Sequence, residues 1–275
     1  MSDPVILLPL DGSEHALAAI PVALTFSQLV GAPLRIIYVS TKAPEPMELV
    51  ELLGLSRAAL GSFSVEAREG NPATVIVRAA EEMNARLVVM CTHTAAARPT
   101  DIVGSTVLAV LRQAFCPVVL VNPKHALHGW HLDRVLLPHD GSPAAAGAVG
   151  WAAEFVRRAS AELLVLQVAV GGIPVPQERG SLTSPLYVDQ PQHEWPAWAS
   201  EFIERLACIC PLAGLRVRLL LGRGKPAAEI LRVAREQSAD LIVLAWKGNW
   251  APKHAATLKA VVRDASCPTM VAHIL

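Results

Sequence analysis

Short apolar runs punctuate the chain at regular intervals, and longer stretches with helical periodicity lie between them. In the first half the runs are Val5–Leu10, Leu34–Val39, Leu87–Met90 and Val118–Val121, with a less apolar one at Ser64–Arg68. A continuous apolar run of this length suits a strand buried on both faces of a parallel sheet. A helix is predicted from about Glu14 to Val30, stopped by Gly31 with Pro33 beyond. Pro21 inside it predicts a kink or a late start. A second helix is predicted around Met47–Leu60. A third opens at Asn71-Pro72, a good N-cap followed by a residue that tolerates the first helical position. Its apolar face is Val75, Ile76, Ala79, Ala80 and Met83. A fourth opens at Gly104-Ser105-Thr106. Five strands alternating with helices predict a parallel α/β domain, in which ligands bind beyond the carboxyl ends of the strands where the strand order reverses.

The same pattern then repeats. V-I-L-L-P-L-D-G-S (Val5–Ser13) returns as R-V-L-L-P-H-D-G-S (Arg134–Ser142), and E-G-N-P-A (Glu69–Ala73) as R-G-K-P-A (Arg223–Ala227). R-L-V-V-M (Arg86–Met90) returns as D-L-I-V-L (Asp240–Leu244), and C-P-V-V-L-V (Cys116–Val121) as C-P-T-M-V-A (Cys267–Ala272). Landmarks that keep their order over this distance mark a duplication of a whole domain. The expected division is residues 1–123, a linker at 124–133, and residues 134–275. The second copy carries a long insertion, 171–196, rich in Pro, Gly, Gln and Ser, and loops of that length are usually lids or disordered. Trp195 and Trp198 beside it are candidates to dock it.

Composition narrows the partners. Twenty-four basic and 24 acidic side chains give a formal net charge of zero, and 52% of the residues are hydrophobic. The absence of basic runs argues against nucleic acid. No apolar run approaches a membrane span, and the first residues do not read as a signal peptide. Five cysteines without metal spacing point to a reducing, cytoplasmic setting. Cys116 and Cys267, each before a proline, read as small core residues, and Cys208-x-Cys210 has no second pair nearby. His125, His128 and His131 share a spacing that would make one face of a helix, but Pro123 and Gly129 favour a coil.

The chemistry is concentrated in Leu87–Val121. A strand is followed by a loop, Cys91–Val103, which enters a helix through Gly-Ser-Thr. The first turn of a helix has unpaired N–H groups and a partial positive charge. With Gly104 permitting close approach and Ser105 and Thr106 adding hydroxyls, this is either a phosphate cradle or an ordinary capped helix. The second copy has Ala255-Ala256-Thr257 there, a loop three residues shorter, and Trp246 and Trp250 inside it. Those indoles fill the pocket or stack on a base. A nucleotide is therefore expected in the first half, if anywhere.

Taken together, the L-P-L-D-G-S and L-P-H-D-G-S openings, the Gly-x-Pro after the third strand, L-V-V-M-C-T-H-T and the final Cys-Pro strand resemble the universal stress protein (UspA) family, in a tandem two-domain form. The resemblance covers essentially the whole chain. It implies two Rossmann-like domains of the adenine nucleotide alpha hydrolase-like kind, each a five-stranded parallel sheet flanked by helices. ATP-binding members carry Gly-x-x-Gly, nine residues, then Gly-Ser or Gly-Thr. Here Cys91 and Thr94 replace the first two glycines, whereas the spacer and Gly104-Ser105 remain. The resemblance places Pro9, Leu10 and Asp11 at the adenine and ribose, Val39 on the base, Met90, Cys91 and Thr94 along the nucleotide, and Gly104, Ser105 and Thr106 on phosphates, with ATP and Mg2+ as the implied ligands. Thr94 narrows the space that a bare backbone would leave. Arg98, partly offset by Asp101, is the loop's one cation.

The resulting expectation is a cytoplasmic stress-response module that binds ATP or a related adenine nucleotide and an unidentified protein partner. The alternative is a scaffold with degenerate pockets that binds no nucleotide. No enzyme activity is expected, because no Walker lysine, Ser-His-Asp order or carboxylate pair accompanies the cradle. His93 is the sole candidate base near it. Family members pair through their last strand, so Val118–Val121 is expected to pair with Thr269–His273 in an intrachain pseudo-dimer. A further homodimer is compatible with this arrangement.

Overall fold

The computed structural model describes residues 3–40, 53, 63–92, 103–125, 129–169 and 195–274. Strand β1 (Val5–Leu10) is followed by a short helix α1 (Glu14–Leu17) and then by α2 (Ile20–Val30). The single long helix expected over Glu14–Val30 is thus broken in two. Pro21 sits in the first turn of α2, where its missing N–H is no loss. Gly31 closes α2 at φ +69°, in the left-handed region that ends helices. Strands β2 (Leu34–Ser40) and β3 (Phe63–Glu69) lead to α3 (Pro72–Glu82), whose N-cap Asn71 accepts the Thr74 N–H at 3.3 Å. Strand β4 (Ala85–Cys91), α4 (Ser105–Gln113) and β5 (Val118–Val121) complete the repeat. The helix expected around Met47–Leu60 lies outside the described residues, apart from the buried Leu53.

The second repeat runs β6 (Arg134–Pro138), α5 (Ala146–Ala159), β7 (Glu162–Ala169), α6 (Trp195–Ile209), β8 (Arg216–Arg223), α7 (Pro226–Glu236), β9 (Leu241–Trp246), α8 (Pro252–Asp264) and β10 (Thr269–His273). A 3₁₀ turn, Pro143–Ala145, precedes α5.

The chain divides into two units. One comprises the residues up to His131 together with Ser266–His273, and the other Leu132–Ala265 with the residues after His273. In the first unit the strand order is β3-β2-β1-β4-β5-β10. Strands β1 to β5 are mutually parallel, with Leu8 opposite Ile36 and Val89 opposite Val119. As expected from the sequence, Thr269–His273 pairs with Val118–Val121; it runs antiparallel, with Thr269 opposite Leu120 and Val271 opposite Val118. In the second unit β9, β6, β7 and β8 lie side by side and parallel. Each sheet buries near-continuous apolar strands, such as Ile6, Leu7 and Leu8 or Leu163, Leu164 and Val165, all fully buried. The order reverses between β1 and β4 in the first unit and between β6 and β9 in the second, which fixes the crevice of each. In the linker, Trp130 packs on Phe26 of the first unit with ring centroids 5.4 Å apart.

Candidate functional site

The crevice of the first unit is built at the carboxyl ends of β1, β2 and β4. Strand β1 delivers Pro9, half-buried, Leu10, buried, and Asp11, exposed. Gly12 turns the chain at φ +79°, a conformation that favours glycine. Asp11 is committed in part to this turn, since its Oδ1 accepts the Ser13 N–H at 3.1 Å and the Ser13 hydroxyl at 2.6 Å. Ser13 Oγ in turn accepts the Ala16 N–H at 3.2 Å and caps α1. Val39, near the end of β2, is half-buried.

Strand β4 brings Met90 and Cys91, both buried. The Cys91 thiol donates to the carbonyl of His15 at 2.9 Å, so this side chain fills the space between β4 and the carbonyl end of α1. A glycine, as in the motif the sequence resembles, would leave that space open. Burial pushes the thiol up to about 12, so it stays protonated. Beyond it the buried Thr92 donates its N–H to Val121 O at 2.9 Å, and its carbonyl accepts the Gly104 N–H at 2.9 Å. The two ends of the loop are thereby clamped, and α4 begins next to β4. The loop between them, with His93, Thr94, Arg98 and Asp101, lies outside the described residues.

Gly104 is buried at φ −61°, and among the described residues a Cβ there would meet nothing closer than Thr92 O at 3.9 Å. Its backbone therefore does not demand glycine. What Gly104 does is leave α4 without a side-chain cap, in contrast to the helices opened by Ser13 and Asn71. The first turn of α4, whose N–H groups have no partner within the helix, carries an exposed Ser105 and a half-buried Thr106. Of the sequence-derived site, Pro9, Leu10, Asp11, Val39, Met90, Cys91, Gly104, Ser105 and Thr106 thus gather at neighbouring strand ends.

The corresponding place in the second unit is built differently. Helix α8 starts early, at Pro252, and carries non-helical angles at Ala255 (φ −123°, ψ 16°), the position that matches Gly104. The turn ahead of the kink is tied on by the Ala255 N–H donating to Ala251 O at 3.0 Å. An extra turn of backbone therefore precedes the position at which α4 begins without a side-chain cap. Trp246 is buried, and its ring meets Trp250 edge-on with centroids 5.8 Å apart. The Lys259 ammonium lies 5.1 Å from the Trp250 centroid. The two indoles thus pack on each other, Trp246 buried and Trp250 half-buried.

The sequence reading missed a buried polar pair in this second crevice. His139 and Gln167 are 6% and 3% exposed. His139 Nδ1 accepts the Gly141 N–H at 3.0 Å, and its ring meets Phe202 of α6 edge-on at 5.4 Å. Burial lowers its pKa from the ordinary 6.5 to about 4, against a smaller opposing effect of Asp140. The signal was present in the repeat: L-P-H-D-G-S has His139 where L-P-L-D-G-S has the apolar Leu10.

Among the described residues no group of three or more His, Cys, Asp and Glu side chains could hold a metal ion. His131 sits in irregular chain, its Nδ1 3.3 Å from Gly129 O, and His128 lies outside the described residues. Cys116 is buried as expected, whereas Cys267 is only half-buried. Cys208 is exposed at the end of α6. Trp198 is buried and stacks at 4.9 Å on Phe202, one turn further along α6, while residues 170–194 of the insertion lie outside the described residues. No helix among the described residues is long and apolar enough to cross a membrane.

Comparison with known proteins agrees with this architecture. The model of the universal stress protein family matches residues 48–122 and 131–273, well over half of the chain. A universal stress protein of Thermus aquaticus, named for its position in the QAH/OAS sulfhydrylase 3' region, is 33% identical over 133 residues, which are 42% of this chain and 97% of the relative. Among solved structures, a universal stress protein from Archaeoglobus fulgidus DSM 4304 matches with a TM-score of 0.68 at 20% identity, covering 99% of both chains. A putative universal stress protein from Pseudomonas aeruginosa UCBPP-PA14 matches with a TM-score of 0.68 at 16% identity, covering 98% of this chain and 93% of the other. The duplicated α/β pattern, the matching strand ends and the two matched segments establish that this chain belongs to the universal stress protein family, as a tandem member.

Proposed function

We propose that the chain is a non-enzymatic regulatory module whose first crevice takes an adenine nucleotide, ATP with magnesium in the first instance, and whose second half serves as scaffold. The observation that carries this reading is the start of α4. It has no side-chain cap, it lies at the switch point of the sheet, and it presents N–H groups beside Ser105 and Thr106. A phosphate chain fits there. Asp11, exposed at the end of β1, suits a ribose hydroxyl, and Val39 and Leu10 offer apolar surface to a base. Nucleotide binding would alter the loop clamped between Thr92 and Gly104, and so the surface offered to a protein partner.

The scaffold reading extended to both halves is favoured by one observation, the Cys91 thiol lodged against the His15 carbonyl where the family motif has bare backbone. The test is calorimetric titration of the nucleotide-stripped protein with ATP and magnesium. One site per chain at micromolar affinity, abolished in Gly104→Trp, supports the proposal. No heat and no ATP-induced rise in melting temperature leaves the all-scaffold reading. Magnesium-dependent turnover lost in His93→Ala would overturn the non-enzymatic assignment.

A further inference from the structure

The polar pair in the second crevice asks for an occupant. The His139 N–H donates to Leu166 O at 2.9 Å, which carries the β6–β7 ladder one step past the Pro138–Leu166 pair. His139 and Gln167 therefore stand side by side on one face of the sheet. Because Nδ1 accepts the Gly141 N–H, the neutral ring carries its hydrogen on Nε2. That Nε2 and Gln167 Oε1 are both buried, and neither has a hydrogen-bond partner among the described residues. A donor and an acceptor are thus buried on one face of two paired strand ends without bonding each other. Burial without a partner forfeits the hydration of both groups, a loss that folded proteins rarely leave uncompensated.

Three features define what fits. Phe202, with Trp198 stacked on it, lays aromatic surface against the His139 ring, so the room left for an occupant is small. The ring is held neutral by its burial, so it brings no charge to balance an anion. The helix end that would hold an anion is also altered in this half, since α8 has an extra turn ahead of Ala255 and the neighbouring Trp246 is buried. We infer that His139 and Gln167 form an enclosed site in the second half for one small uncharged molecule, a single internal water, which accepts from His139 Nε2–H and donates to Gln167 Oε1. Water is the smallest molecule that does both, and buried waters settle where polar groups would otherwise go unbonded. The site is particular to the second half. The matching first-half positions, Leu10 and Tyr38, are also register partners, but Leu10 has no polar atom to offer. The water ties the ends of β6 and β7 to the Asp140-Gly141-Ser142 turn through the same imidazole, which makes it a structural pin under that turn.

A high-resolution crystal structure of the full chain and nitrogen-15 spectra of His139 test the inference together. The expected result is a discrete solvent peak about 3 Å from both Nε2 and Oε1, with the ring in its Nε2–H tautomer at neutral pH. Direct contact between the two side chains, an empty place, or an Nδ1–H tautomer would each overturn it. Variants give an independent reading. His139→Leu and Gln167→Leu each strand one end of the water and should lower the melting temperature by about 3–6 °C. The double variant should lose clearly less than the two together, because the shared water is removed only once. Strict additivity would mean that the two residues share nothing and that the inference is wrong. A larger neutral occupant, such as a carboxamide, in the density would likewise replace the water assignment.

Discussion

Burial and the Gly141 amide hold His139 uncharged, and this has a measurable cost in acid. The unfolded chain takes up a proton near the ordinary pKa of 6.5, whereas the folded chain does so only near 4. The contribution of His139 is therefore complete above about pH 6.5 and is lost as the pH falls between these values, by on the order of 3 kcal/mol. Urea unfolding of the wild type and of His139→Leu at pH 7 and pH 4.5 isolates it from the carboxylates. The variant should lose distinctly less stability on acidification, and an equal loss in both proteins would refute the argument. The cysteines give a second expectation. Cys91 and Cys116 are buried, with thiols pushed up to about 12, whereas Cys208 is exposed. A thiol-specific disulfide reagent should modify Cys208 in the native protein, and should reach Cys91 and Cys116 only after denaturation. Rapid native labelling of Cys91 would mean that the space beside α1 opens. These single-residue environments were only partly legible in the sequence. The Gly-to-Cys change at position 91 could be read from the motif, but the carbonyl its thiol meets lies 76 positions back along the chain. The His139–Gln167 pair needs the register of two strands before it exists at all.

At the scale of elements, most of the pattern was legible because its causes are local. Apolar runs gave the strands, Pro72 and Asn71 the start of α3, and Gly31 the end of α2. The early start and kink of α8 was not legible. Its cause is the shorter loop, which brings Pro252 close enough to begin a helix one turn too soon, and loop path is not encoded in hydrophobic period. The start of α7 shows how the repeats diverged under one constraint. Lys225 replaces the cap Asn71 and makes no side-chain cap bond. Glu229 instead folds back over Gly222, pairs with Arg232 at 2.5 Å, and takes a backbone hydrogen bond from Arg223. A Cβ at Gly222 would stand 2.7 Å from Glu229 Oε1 and closer still to its Cγ. Gly222→Ala should therefore cost about 1–3 kcal/mol in chemical unfolding, and much of that should return in Gly222→Ala with Glu229→Ala. An unchanged midpoint would show that Glu229 swings clear at no cost.

At the scale of the molecule, the decisive feature is that β10 belongs to the sheet of the first unit. Thr269, Met270, Val271 and Ala272 are all 2% exposed or less. Without this strand, β5 would present an open apolar edge, which is a template for association. A chain ending at Ala265 should self-associate or precipitate at concentrations where the full chain does not, as read by light scattering and sedimentation; a well-behaved truncated monomer would refute this. The pairing was legible in the sequence because both Cys-Pro strands are short, apolar and in need of a neighbour. Its direction relative to the parallel strands came from the structure. The arrangement also sets a schedule for biosynthesis. All five parallel strands of the first sheet leave the ribosome roughly 150 residues before the strand that seals it, and at about 5–20 residues per second that is an interval on the order of ten to thirty seconds. For that time the nascent chain carries a sticky margin with no cover of its own. A translational pause placed between the two repeats would lengthen the exposure, and a chaperone that shields strand edges would matter most in that interval.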